Sequence, residues 1–255
     1  MDKLVERNLQ NLVSEQEWQT RVDLAACYRL VAHMGWDDLI YTHISARIGD
    51  SKQFLINPFG VAFDEVTASN LVKIDIQGNI LDGSELAINP AGFTIHSAIH
   101  EVRHDATCVI HLHTPATICV ASQQQGLLPL SQYAMFSLAS LSYHDYEGLA
   151  VNLDERKRLQ DDLANTNHML LPNHGALTLG PTIGDAFMRF YDLQRACEIQ
   201  LAMQASGQPI VPVKQHIIDS VYKQANIVHS GQTGGQKAWP AMLRKAKRLF
   251  PDFAR

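Results

Sequence analysis

Residues 106–114 read ATCVIHLHT, and side-chain alternation along a strand divides them cleanly. Cys108, Ile110 and Leu112 share one face, while Thr107, Val109, His111 and His113 share the other. One face belongs in a core. The other brings two imidazoles to the same side of a sheet.

Working outward, Asn89-Pro90 supplies an N-cap and a proline at the first helical position, predicting a helix that runs to about His104. Upstream, YTHISARI (41–48), QFLINPFG (53–60) and LVKIDI (71–76) read as short strands, with a turn at Gln77-Gly78-Asn79. This is a meander, not a series of βαβ units. Further back, Ser14 and Glu17 have capping-box spacing, and Val13 and Trp18 sit where a hydrophobic staple would place them. They predict a helix to about Met34. Downstream, residues 168–171 form a strand leading through Pro172-Asn173-His174-Gly175 into a second strand over 176–179. Thr182 then caps a long amphipathic helix with Ile183, Phe187, Phe190 and Tyr191 inward, ending near Gly207. The whole chain, 1–255, reads as one domain in which 208–255 is a C-terminal helical appendage with its flexible point at 230–235.

Composition narrows the function classes. Hydrophobic residues make up 46% and charged residues 18%, which leaves enough apolar surface for a sizeable core. A net charge of -5 offers no basic surface for a phosphate backbone, so nucleic acid is not an expected partner. The basic cluster of Lys237, Arg244, Lys245, Lys247 and Arg248 is interleaved with Met242, Leu243 and Leu249, as on a solvated helix face. Cys27, Cys108, Cys119 and Cys197 show no paired spacing and read as buried small hydrophobes, not as disulfides or zinc thiolates. No secretory signal or membrane-spanning run is present, and the expected location is the cytoplasm.

The chemistry centres on histidine. A His-x-His pair on a strand, joined by a third histidine from a remote turn, can form a three-nitrogen site that leaves positions open for water or substrate. The pair alone carries little weight among twelve histidines. The polar face of an otherwise apolar strand and the glycine beside His174, which permits a tight turn, give it more. His96, His100 and His104 fall at i, i+4 and i+8 along one helix stripe and are expected behind the metal ligands or at the surface. Asp145, Tyr146 and Glu147 lie in a loop that could bring a carboxylate.

HLHTPA (111–116) and PNHGAL (172–177), with NPFG (57–60) and THISAR (42–47) upstream, make residues 20–205 resemble the class II aldolase/adducin superfamily. The resemblance implies an α/β fold, a three-layer αβα sandwich around a central, mostly antiparallel sheet. It implies one divalent metal on His111, His113 and His174, zinc first, with iron(II) or manganese(II) as alternatives. It further implies a homotetramer with active sites between subunits, where Tyr133, four residues after Pro129, corresponds to a proton-donating tyrosine. Substrate contacts then fall to His43, Asn57, Gly60, Gly92 and His96, while Arg47 is expected to be structural.

The catalytic parts depart from the aldolase pattern. The acid/base glutamate 19 residues before the first ligand is replaced by Gly92. The phosphate-binding serines give way to Pro90 and Ala91, and a Gly-Asn-x-Ser loop becomes Thr42-His43-Ile44-Ser45. These changes argue against a phosphorylated sugar. Two readings follow. One is a metal-dependent lyase that decarboxylates a small non-phosphorylated keto or hydroxy acid or cleaves it in aldol fashion. The alternative is a non-catalytic adducin-like metal-binding or interaction module. Iron(II) oxygenase chemistry on the same imidazoles is a third.

Overall fold

The computed structural model describes residues 7–228 and 234–255. Of the expected flexible point, residues 230–233 lie outside the described residues, as do residues 1–6 of the charged N-terminal stretch.

Helix α1 (Glu15–His33) is followed by β1 (His43–Arg47), β2 (Gln53–Ile56) and β3 (Val72–Asp75), then α2 (Pro90–Val102) and β4 (Cys108–Leu112). Next come α3 (Pro115–Ala121), α4 (Gln132–Leu138), β5 (Leu141–Tyr143), α5 (Glu155–Leu163), β6 (His168–Leu171) and β7 (Gly175–Gly180). The long α6 (Ile183–Ala205), α7 (Gln215–Val228) and α8 (Gly235–Leu249) complete the order. The seven strands form one sheet in the order β3-β2-β1-β4-β7-β6-β5. Every pairing is antiparallel except β5 with β6. This matches the expected three-layer arrangement.

The alternation read in 106–114 sets the layers. Cys108, Ile110 and Leu112 enter the large core with Leu24, Tyr28 and Leu30 of α1 and Phe187, Phe190 and Leu193 of α6. Val109 faces the other way, into a smaller core with Ile95 and Ile99 of α2 and Leu159 and Leu163 of α5. His111 therefore stands on the α2 side of the sheet, directly opposite His43 in the β1–β4 register. Position in the register, more than distance along the chain, brings these two rings together.

Three expectations need correction. The Ser14 hydroxyl accepts from Glu17 N at 3.2 Å, but the Glu17 carboxylate does not turn back to complete a capping box. It accepts from Arg21 Nε at 3.0 Å and Lys73 Nζ at 2.9 Å. A fully buried guanidinium demands a charged partner more strongly than an amide at a helix end does. Cys119 is exposed, on the outer face of α3, while the other three cysteines are buried. The C-terminal region is also more than an appendage. Trp239, Ala246 and Phe253 are part of the large core, and Ala68 N and Ser69 N donate to the carbonyls of Phe253 and Arg255. Helix α7 rests on α4 through Ile218, Val221 and Met135.

Candidate metal centre

His111 leaves the sheet near the end of β4, and His113 lies one residue past that strand, just before Thr114 caps α3. His174 arrives from the β6–β7 turn, where Asn173 takes a positive φ of 59°. Gly175 is required there for a different reason. A Cβ on it would stand 2.5 Å from the Leu112 carbonyl oxygen and 3.0 Å from the His113 ring. The turn can press against β4 only because that side chain is missing.

The three rings converge, and their candidate ligand atoms all lie within 4.8 Å of one another. His111 is buried, while His113 and His174 are partly open. The Ala176 carbonyl accepts from His111 Nδ1 at 3.1 Å, and Asp38 Oδ2 accepts from His113 Nδ1 at 3.0 Å. With both Nδ1 atoms donating, both Nε2 atoms carry lone pairs, yet they stand 3.0 Å apart. Such a pair suits a shared cation; without one, a ring proton must move to Nε2 and bridge the two nitrogens. The donor set fits a divalent ion, and the Asp38 and Ala176 contacts are of the kind that orient metal-binding imidazoles. Burial, reinforced by the neighbouring imidazoles, holds the pKa of His111 well below the ordinary histidine value, and it lowers His174 to about 4. Neutral rings are what a metal requires.

These histidines form the floor of a cavity of about 470 Å³, also lined by Asp38, Tyr41, His43, Phe59, Ile95, Tyr146 and Leu149. Among the described residues no lysine or arginine lines it. Tyr41, Phe59, Tyr146 and Leu149 are exposed at its rim, with the Tyr146 ring 6.4 Å from that of His174. Sequence reasoning noticed the 145–147 loop for its carboxylates, whereas the tyrosine is what faces the cavity. It missed Asp38 altogether, because the pairing with His113 spans 75 residues and no local pattern announces it.

The other expected site residues fall in different places. His43 lines the cavity, and its ring stacks on that of His111 with centroids 5.1 Å apart. His96 stands behind it, and His96 Nε2 shares a hydrogen bond of 2.9 Å with His43 Nδ1. His96 Nδ1 and His100 Nε2 both meet Ser45 Oγ, at 2.5 and 2.7 Å. His104 lies beyond the end of α2 and is exposed. Arg47 donates to the His100 carbonyl, a structural contact. Asn57 does not line the cavity, because its side-chain oxygen accepts from Tyr28 Oη at 2.8 Å. Gly60 is a turn residue with φ of 92° and nothing near its missing side chain; Phe59 of the same motif takes the cavity wall instead. Gly92 is not among the residues lining this cavity, but its missing side chain leaves room for His43. Tyr133 is half-buried on α4, its ring edge-on to Tyr191 at 6.2 Å, and does not line this chain's own cavity.

Residues 22–201 match the profile of the Class II Aldolase and Adducin N-terminal domain. A provisionally named aldolase class 2 protein of Pseudomonas aeruginosa is 54% identical over 248 residues, 96% of each chain. Alpha-adducin of Rattus norvegicus is 45% identical over 191 residues, which cover 73% of this chain and 26% of the adducin. Among solved structures, an aldolase II superfamily protein from Pseudomonas syringae superposes with a TM-score of 0.92 at 45% identity, covering 98% of this chain and all of that one.

Proposed function

Because the chain belongs to the class II aldolase and adducin family, we propose that it is a metal-dependent lyase acting on a small non-phosphorylated keto or hydroxy acid. The carrying observation is the 3.0 Å approach of His111 Nε2 and His113 Nε2 at a cavity that, among the described residues, has no lysine or arginine in its walls. His111, His113 and His174 would hold one divalent ion, zinc first among the candidates. A bound ion supplies Lewis acidity toward a carbonyl or carboxylate oxygen. Asp38 and the Ala176 carbonyl keep two of the rings in the tautomer that turns a lone pair to the cavity. With no cationic side chain among the described lining residues, a phosphate dianion would find no guanidinium or ammonium partner there.

Decarboxylation suits these residues better than retro-aldol cleavage or epimerisation. When a 3-keto acid loses carbon dioxide, the electrons of the broken carbon–carbon bond pass to the carbonyl and no proton is removed. Gly92, which cannot act as a base, therefore costs such a reaction little. A proton must still be returned to carbon, and Tyr133 of a neighbouring copy in a homotetramer is the donor this reading assigns. The expected location is the cytoplasm; among the described residues no helix is long and apolar enough to cross a membrane.

The alternative, an adducin-like interaction module, draws on the identity with alpha-adducin and on the exposed apolar rim of Tyr41, Phe59, Tyr146 and Leu149. A panel of keto and hydroxy acids, tested on metal-loaded and chelator-treated protein beside a ketose phosphate, separates the two. Product from an acid only with metal present is expected. Metal-loaded protein inert to the whole panel would favour the module, and tight binding of the ketose phosphate would contradict the substrate class.

A further inference from the structure

Position 92 and His43 compete for one space. A Cβ on Gly92 would stand 2.7 Å from His43 Cδ2, 2.9 Å from Cγ and 3.1 Å from Nε2. The imidazole thus occupies the volume into which a side chain at 92 would grow, and the glycine and the histidine are one coupled feature. The ring is only 2% exposed, stacked on His111 and bonded through Nδ1 to His96, so its orientation is set by the structure around it. Among the described residues, its hydrogen bond runs through Nδ1, and Nε2 is left to the cavity side.

The chain behind it can set the direction of that last nitrogen. Ser45 Oγ lies between His96 Nδ1 and His100 Nε2 and has one proton to give. The chain can run in two directions: when Ser45 donates to His96, His43 Nε2 ends as a donor, and when Ser45 donates to His100, His96 Nδ1 donates to Ser45 and His43 Nδ1 donates to His96 Nε2. His43 Nε2 then carries a lone pair and accepts. Other polar groups of the cavity are committed or peripheral. Asp38 is bound to His113, Asn89 caps α2, and the Tyr41, Tyr146 and Asn173 side chains are exposed.

We infer that His43 is the positioning residue of this cavity, accepting through Nε2 a hydrogen bond from a substrate hydroxyl beside the three-histidine centre. The cavity thereby prefers a hydroxy acid to the same acid without its hydroxyl. This rests on the metal reading above and deepens it.

The test uses full-length zinc-loaded protein with ¹⁵N-labelled histidine, and glycolate and acetate as probes, since they share a carboxylate and differ by the hydroxyl. His43 Nε2 should give the signal of an unprotonated nitrogen, shift when glycolate is added and stay in place with acetate. His43→Asn, which retains a group near Nδ1 but none near Nε2, should weaken glycolate about tenfold and leave acetate affinity and zinc content unchanged. Such a loss is the size of one hydrogen bond. His43→Gln, whose amide extends toward the Nε2 place, should recover part of it. Equal losses for both probes, or an Nε2 signal indifferent to glycolate in the unaltered protein, would overturn the inference. If His43→Asn does not fold, the labelled unaltered protein still decides. Protein that takes up no zinc and binds neither probe would overturn the metal reading along with it.

Discussion

A methyl group at position 92 has nowhere to go while His43 keeps its place. Gly92→Ala should therefore lower stability by roughly 1–3 kcal/mol, the usual cost of overpacking. In a His43→Asn background the same change should cost clearly less, because the smaller amide leaves space; thermal unfolding of the four proteins measures the coupling. Additive losses would show that the two positions do not compete. At the metal centre, Asp38→Asn should lower zinc affinity about 10- to 100-fold by weakening the hold on the His113 tautomer, read by competition with a chromogenic chelator. Unchanged affinity would mean that Asp38 is a bystander. Part of the three-histidine cluster was legible in the sequence, since strand alternation places His111 and His113 on one face. Asp38 was not, and neither was the eviction of a side chain at 92 by His43. Both depend on contacts between segments 75 and 49 residues apart, which no local pattern encodes.

Strands and turns position these residues, and their packing suggests further tests. Gly175→Ala would drive a Cβ against the Leu112 carbonyl, a backbone atom that cannot swing aside. The variant should lose on the order of 2 kcal/mol and bind zinc less well, because the turn carrying His174 must back away from β4. Buried histidines outside the ligand set give the fold a pH limit. Burial, with Arg47 beside one ring and Arg189 beside the other, lowers the pKa of His100 and of His168 to about 3. In the unfolded chain both titrate near the ordinary value of about 6.5. The folded pKa being the lower, the unfolded state binds more protons as pH falls from 6.5 toward 3, and stability is lost in that direction. Each ring contributes a slope approaching about 1.4 kcal/mol per pH unit. The unfolding temperature should thus fall steadily from pH 6.5 to pH 4, and a flat profile would show that these rings are not held neutral. The major elements could be read from caps and periodicity. β5 could not, since three residues, Leu-Ser-Tyr, carry no usable alternation and are ordered by parallel pairing with β6. The role of α8 was hidden for a related reason: its basic residues look like a free surface, while Trp239 and Ala246 on the same helix enter the large core.

For the whole molecule, the question of assembly turns on what one chain's cavity contains. One chain supplies the three histidines, His43 and the cavity walls, while Tyr133 sets its ring edge-on to Tyr191 and is not among the lining residues. If a neighbouring copy completes the site, sedimentation should find a homotetramer at micromolar concentration. Tyr133→Phe should then keep assembly and metal content while lowering turnover about 10²- to 10⁴-fold, as loss of a general acid does. A monomer with unaltered turnover in Tyr133→Phe would remove that tyrosine from the account. Everything proposed for this chain, from substrate class to the role of His43, depends on an ion held by the three converging histidines. Elemental analysis of protein purified without chelator tests this most directly. The account predicts close to one divalent ion per chain, falling to a trace in His113→Ala with the fold intact. A well-folded chain that carries no stoichiometric metal, or one whose metal survives loss of His113, would contradict it.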